Sequence, residues 1–217
     1  MSRKLSMTQR VVDQLREDII NWKYEENNII TETEIAKAFD VSKTPAREAL
    51  TTLCMEGFLE KLPNKGYLVK GISVSELQNL FQFRRILEVA AIEIAIQYAT
   101  DKDIDILEEL SRQSINEEKE ITYNEMNYNF HIYIAYISKN TYLISALKSV
   151  LTQLRRVLVM DWRHIDDEHQ LDHHVEIFQA IKARDIETAI GHITEEIDTT
   201  IRRIYFEETR NPQTINS

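Results

Sequence analysis

Cysteine occurs once in this chain of 217 residues, at Cys54. One thiol excludes a disulfide framework and any zinc site built on cysteines. Beside Leu50, Leu53 and Met55, Cys54 reads as a small buried hydrophobe. Proline occurs three times and glycine four times. So few breakers predict long helices and short connections. No apolar run reaches the length of a bilayer span, and Met1 to Arg10 lacks a signal-peptide core. The expected location is cytoplasmic, with no membrane partner. A glycine-rich phosphate loop, a nucleophile elbow and a Cys–His pair of recognisable spacing are also missing, so no enzyme is expected. No repeat of 20–50 residues is visible.

Positive charge is scarce as well, but unevenly so. The net charge is −10. Residues 1–71 hold 11 Lys/Arg and 11 Asp/Glu, whereas residues 72–217 hold 15 and 25. The acidic excess therefore belongs to the second part. A neutral front part can still bind a polyanion if Lys43, Arg47, Lys61, Lys65 and Lys70 share one face.

What is present points the same way. Val11, Val12, Leu15, Ile19, Ile20 and Trp22 recur at helical spacing, predicting a support helix over Met7 to Trp22. Lys4 and Arg10 lie near it, where a phosphate contact or plain solvation is open to them. Thr31-Glu32-Thr33-Glu34 is a capping box that opens a second helix with Ile35, Ala36 and Phe39 on its apolar face. Asp40-Val41-Ser42 is a turn. Ser42 or Thr44 caps a third helix, and Pro45 fits its first turn because its missing N–H is an orphan there anyway. Gly57 to Leu62, a Pro63-Asn64-Lys65-Gly66 turn and Tyr67 to Lys70 then read as a β-hairpin. Helix, turn, helix and hairpin together outline a winged helix-turn-helix. The candidate DNA contacts are Thr33, Ser42, Lys43, Thr44 and Arg47 on the helix pair, with Lys65 and Gly66 at the wing tip. Short capped helix pairs also occur in proteins that never touch DNA. Here the helix pair, the Pro-marked second helix and the basic wing coincide in the right order.

These residues resemble the DNA-binding domain of GntR-type transcription regulators. The resemblance rests on Glu34-Ile35-Ala36, Val41 to Leu50, Glu56-Gly57-Phe58-Leu59 and Lys65-Gly66. It departs at Lys43, where the family usually has Arg, and at Glu26-Asn27, where the family has a Pro-Gly turn. Lys cannot make the bidentate contact to guanine that Arg makes, so a different operator preference is expected.

From Gly71-Ile72-Ser73 onward the pattern is helical. Ser73 to Glu76 is a capping box for a helix to about Tyr98, and Thr100-Asp101 caps one to about Asn116. Thr122 to Glu125 is another capping box, opening a helix to about Lys139. After a break at Asn140-Thr141 come helices to about Arg163, from about Asp167 to Ala183, and from Asp185 to about Glu208. Their apolar stripes predict an antiparallel bundle. The expected fold is thus mainly α: a winged helix-turn-helix over residues 1–71, and an all-helical domain over residues 72–217, which the resemblance implies is an effector-binding and dimerisation domain.

The second part resembles the effector domain of the FadR subfamily, the FCD domain. The residues are Phe83 to Glu88, Phe130-His131 with Ser138-Lys139-Asn140, and His174 to Ile181 with Asp185 and Ala189. In many members an Asp and three His from three helices bind a divalent metal. The resemblance maps those positions onto Asn127, His131, His174 and Glu196, so a carboxylate has moved from one helix to another. Two imidazoles, a carboxylate and an amide oxygen suit Zn²⁺, Ni²⁺ or Mn²⁺. Two alternatives stay open: His192 shares a helical face with Glu196, and a shifted register puts His173 in place of His174. His131 and His174 can equally line an anion pocket without metal. His164 and His169 read as surface groups.

Arg84 is the first candidate for holding an effector carboxylate by its fork. Its alternative role is an ion pair with Glu88, four residues on. His131, His174 and Arg155 complete the expected effector contacts; Arg85 and Arg156 offer further cations, and one of each adjacent pair, Arg84–Arg85 and Arg155–Arg156, is expected to face inward. The whole reading is a homodimeric regulator, a repressor, that binds double-stranded operator DNA and answers to a small organic acid. A metal-dependent enzyme and a purely architectural DNA binder are the competing classes.

Overall fold

Ser6 opens the first helix, its Oγ accepting from the backbone N–H of Gln9, and α1 runs over Met7–Ile20. The structure, a computed structural model, describes residues 6–112, 123–162 and 171–210. Lys4, Thr122, His164 and His169 lie outside them. The chain falls into two units, Met1–Ile72 and Ser73–Ser217.

In the first unit, α1 buries Val11, Val12, Leu15, Ile19 and Ile20 and packs on α3, which spans Lys43–Met55. The sequence carries α1 to Trp22, but Trp22 is left-handed, with φ 61°, and the helix stops at Ile20. Between them, α2 covers Glu32–Ala38 with Ile35 buried. Its capping box is complete: Thr31 Oγ1 accepts from Glu34 N–H and the Glu34 carboxylate accepts from Thr31 N–H. Asp40, with φ 51°, turns the chain toward α3. Inside α3, Ala46, Ala49, Leu50 and Leu53 are buried. Cys54 is only half-buried and Met55 is 77 % exposed, because that side of α3 turns away from α1. Burial still pushes the Cys54 thiol above its ordinary value.

The wing holds one strand more than the expected hairpin. A two-residue strand β1 (Ile29–Ile30) joins β2 (Leu59–Leu62) and β3 (Gly66–Val69) in an antiparallel sheet ordered β1-β3-β2. Ile29 faces Leu68 and Ile30 faces Tyr67. Two residues are too few for alternation to register in sequence. Gly66 is required where it stands: φ is +125°, and a Cβ there would sit 2.6 Å from the Ile30 carbonyl oxygen.

The second unit contains, among the described residues, α4 (Val74–Tyr98), α5 (Asp101–Ser111), α6 (Tyr123–Ile137), α7 (Thr141–Trp162), α8 (Leu171–Lys182) and α9 (Ile186–Arg210). Side chains cap the starts. Ser73 Oγ accepts from Glu76 N–H, Thr100 and Asp103 form a reciprocal box, and Asp185 Oδ1 accepts from Thr188 N–H. Left-handed Lys139 and Arg184 end α6 and α8. The Arg184 guanidinium donates to the carbonyls of Ile96 and Ala99, so it satisfies the end of α4 from another part of the bundle.

Helix α4 is the hub, touched by α6, α7, α8 and α9. Leu77, Phe81, Ile92 and Ala95 form its apolar contacts, with Leu147, Leu154, Ile177, Ile181, Ile193 and Ile197 around them. Polar residues on such a helix cannot all reach water. Arg84 and Glu88 are carried inside. The fold as a whole is mainly helical, with a small antiparallel sheet in the first unit and a helical second unit.

Candidate functional site

Two polar surfaces were singled out from the sequence, one in each unit. On the first, Thr33, Ser42, Lys43, Thr44, Arg47 and Lys65 are exposed, while Gly66 is half-buried at the start of β3. Ser42 stands at the N-cap of α3 but makes no side-chain cap hydrogen bond. Its hydroxyl therefore adds no acceptor for the orphan N–H groups of that helix end. Arg47 is not idle. Its Nε and Nη2 donate to Glu32 Oε1 and Oε2, each at 2.8 Å, in a two-pronged fork across α2 and α3. Tyr67 Oη reaches the same Glu32 Oε1 at 3.4 Å. Glu32 was absent from the sequence reading of this surface. Its place in the first turn of α2, one turn from the start of α3 in space, is not encoded in any local spacing.

The second surface is internal. Arg84 is 1 % exposed, and His131, His174, Asn127 and Glu196 are all buried. They come from four helices: Arg84 and Glu88 from α4, Asn127 and His131 from α6, His174 from α8 and Glu196 from α9. Arg84 Nε donates to Glu88 Oε1, and Arg84 Nη2 donates to Glu196 Oε1 at 3.0 Å. The same Nη2 lies 3.2 Å from His131 Nε2. The Glu88 pair exists, yet it is buried and shared with Glu196. Isolated burial of a guanidinium costs several kcal/mol, and two carboxylates offset that here.

His131 sits between two carboxylates. Its Nδ1 is 2.6 Å from Glu88 Oε2, out of line for a straight hydrogen bond, and its Nε2 is 3.0 Å from Glu196 Oε1. Burial opposes a charge on the ring, but Glu196 and Glu88 outweigh it and push His131 up to about 9. His174 goes the other way. Burial, reinforced by the charges on His131 and Arg84, lowers it to about 3, so the ring is neutral. Phe130 stacks on it, with ring centroids 4.3 Å apart. Burial would raise Glu196, yet the charges on His131 and Arg84 hold it well below the ordinary carboxylate range. Glu88 is depressed against its burial by Arg84 and His131.

Four donor atoms converge. Asn127 Oδ1 is 3.3 Å from His131 Nε2 and 3.2 Å from His174 Nε2. Glu196 Oε2 lies 3.7 Å from His174 Nε2 and has no hydrogen bond. A buried carboxylate oxygen without a hydrogen-bond donor is costly unless a cation completes it. Glu88 against His131 Nδ1 is also the outer carboxylate that orients a metal-binding imidazole. The donor set fits a divalent ion, held by His131, His174 and Glu196 with the Asn127 amide oxygen beside them. Arg84 already places a positive charge against two of these atoms, so such an ion would enter in competition with it.

The remaining expectations are mixed. Of the neighbouring arginines on α7, Arg156 is fully buried and Arg155 half-buried. The named contact Arg155 is therefore the more exposed of the two. Helical phase points the other way: at about 100° per residue Arg155 falls nearer than Arg156 to the stripe of Leu147, Leu151, Leu154 and Leu158, and Arg156 is buried because α7 is covered by α4, α6 and α9 and not along that stripe alone. Glu88 was seen only as a partner for Arg84 and not as part of the site. Its spacing of four from Arg84 was the available signal. His173 and His192 do not enter the buried cluster. They meet outside it, around Glu176.

Comparison with known proteins is consistent along the length of the chain. Residues 7–69 match the model described as "Bacterial regulatory proteins, gntR family", and residues 79–199 match the FCD domain. The chain is 30 % identical over 190 residues to the Nta operon transcriptional regulator of Aminobacter aminovorans, covering 85 % of this chain and 90 % of that one. It is 28 % identical over 205 residues to the HTH-type transcriptional repressor RspR of Escherichia coli (strain K12), covering 91 % and 90 %. Among solved structures it resembles E. coli McbR/YncC with a TM-score of 0.79 at 21 % identity, covering 94 % of this chain and 99 % of that one. That last likeness concerns the fold alone.

Proposed function

The chain belongs to the GntR family of bacterial regulatory proteins and carries an FCD domain, and on that premise we propose that it is a homodimeric repressor released or modulated by a small carboxylate. The observation that carries the reading is the buried convergence of Arg84, His131, His174, Glu196 and Asn127. Nothing in folding alone calls for that many polar groups at the centre of a bundle. One relative is itself named a repressor.

On the DNA side, Lys43, Thr44 and Arg47 at the start of α3 meet base edges and phosphates, with Thr33 and Ser42 beside them. Lys65 and Gly66 present a cation and a bare backbone from the wing. Arg47 gives up Glu32 when phosphate replaces it. A two-fold protein reads a two-fold operator, which is why two copies are proposed. Phe83 and Ile86, three residues apart and exposed on α4, offer apolar surface for the pairing.

On the ligand side, charge balance decides. Arg84 and protonated His131 offset Glu88 and Glu196, while His174 is neutral. As it stands the cluster has no spare positive charge for an arriving anion. His131, His174 and Glu196 would hold a divalent ion, which would supply that charge and Lewis acidity toward a carboxylate oxygen. With its Nε2 so engaged, His131 would be neutral and keep Nδ1 toward Glu88. Arg84, freed in part from Glu196, would turn its fork to the ligand. Arg156 and Arg155 stand nearby on α7 as further cations. The ligand shifts operator affinity by its unequal affinity for the two states of the protein.

The test is an operator-binding titration by fluorescence anisotropy, with metal-stripped and Zn²⁺-loaded protein, across a panel of small mono- and dicarboxylic acids. The expected result is a shift in operator affinity by at least one acid with loaded protein and none with stripped protein. An acid response that is equal in both preparations would remove metal from the mechanism. No response in either would remove the carboxylate.

A further inference from the structure

A second polar cluster lies on the outer side of the α8–α9 pair. His173 and Glu176 are three residues apart on α8, one turn along the same face. His192 comes from α9. Glu176 Oε2 is 3.1 Å from His192 Nδ1 and 3.6 Å from His173 Nδ1. The ligand atoms of all three residues lie within 4.8 Å of one another. We propose that His173, Glu176 and His192 form a second divalent-metal site, separate from the buried centre, that staples α8 to α9.

Three features carry the assignment. The donor set is two imidazoles and one carboxylate, drawn from two elements, which is the set that borderline ions such as Zn²⁺ prefer. His173 Nδ1 is shielded from solvent yet has no hydrogen bond, because its Glu176 partner stands beyond bonding range. A shielded nitrogen in that state is costly, and a coordinated ion removes the cost. The cluster is also half-exposed, with His173 and His192 about a quarter to a third accessible and Glu176 more so. An ion can enter without opening the bundle, and solvent can fill the remaining coordination position.

Position gives the site a consequence. His173 adjoins His174, and His192 lies four residues before Glu196. The outer cluster and the buried one are therefore carried on the same two helices, one turn apart along α9 and on adjacent residues of α8. An ion on the outside fixes the spacing of α8 and α9, and with it the spacing of His174 and Glu196 inside. Occupancy outside should tighten whatever the inner centre holds.

Full-length protein stripped of metal and equilibrated with ZnCl₂ tests this, with bound zinc counted by elemental analysis after dialysis. Co²⁺ spectra report ligand geometry in parallel. His192→Ala and Glu176→Gln should each bind one equivalent less than the unaltered protein, with circular dichroism confirming an unchanged fold. His131→Ala should leave the outer equivalent in place. This separates the proposal from the inner site: if the buried centre takes no zinc, the unaltered protein binds one equivalent and His192→Ala binds none. Unchanged zinc content and unchanged Co²⁺ spectra in both outer variants would overturn the assignment.

Discussion

The same chemical unit appears in both halves of the molecule, with opposite consequences. In the first unit Arg47 forks onto Glu32 at the surface, with side chains 62 % and 23 % exposed. In the second, Arg84 joins Glu88 and Glu196 in the interior, with Arg84 1 % and Glu88 3 % exposed. An exposed pair contributes about 0–1 kcal/mol and exchanges partners readily. A buried one is bound to its surroundings, because removing one charge strands the other. The surface arginine can leave its carboxylate for a phosphate. The interior one changes partners only if new charge arrives beside it.

Arg84→Ala should break the contrast most visibly. It leaves Glu88 and Glu196 facing each other with only His131 between them, and should cost about 3–5 kcal/mol in denaturant unfolding. Arg47→Ala should cost under about 1 kcal/mol in the same assay. Equal losses in the two variants would show that burial does not separate the pairs.

The wing tip gives the next effect in size. Gly66→Ala places a Cβ against the Ile30 carbonyl oxygen at a backbone angle that L residues rarely adopt. A loss of about 1–3 kcal/mol in unfolding is expected. Operator affinity should fall with it, since β1 and β3 pair at that point. Full stability in Gly66→Ala would mean the β1–β3 contact is not formed as described.

Operator affinity itself is the measure for Arg47→Ala. A base or phosphate contact of this kind carries about 1–3 kcal/mol, a drop of roughly 5- to 150-fold. A loss uniform across sequences, with the salt slope reduced by about one, marks a phosphate contact. A loss confined to the operator marks a base contact.

Much of this arrangement was legible before any coordinates. The Thr31–Glu34 box, the Pro45 turn and the Lys65-Gly66 tip are local signals, and local signals fix local structure. The convergence of Asn127, His131, His174 and Glu196 was reached through resemblance and not through spacing, since three helices must fold together before those residues meet. Two contacts that shape the sites stayed hidden for the same reason. Glu32 reaches Arg47 across fifteen positions, and Glu88 reaches His131 across forty-three. The strand β1 was invisible because two residues carry no period. The effector contact was placed on Arg155 while Arg156 is the buried one, because α7 has neighbours on more than one side and a single apolar stripe does not record them.

The smallest expected effect tests the surface pair most closely. Glu32 sits beside the residue assigned to DNA contact, and its charge both restrains Arg47 and opposes a phosphate. Glu32→Gln removes the charge and keeps the shape, so affinity for any duplex should rise by a few fold at moderate salt. The pH dependence carries the same information. The Arg47 guanidinium holds the Glu32 carboxyl below its ordinary range. A depressed carboxyl contributes stability that is present above its unfolded value and is lost as pH falls through its folded one. As that proton binds, Glu32 becomes a neutral group much like the glutamine, and Arg47 is released in the unaltered protein too. The gap in duplex affinity between Glu32→Gln and the unaltered chain should therefore be widest near neutral pH and close as pH falls through the depressed value of Glu32, below the ordinary carboxylate range. A gap that stays constant with pH would show that Glu32 acts through shape or packing, and the surface fork would then lose its part in the contrast with the buried one.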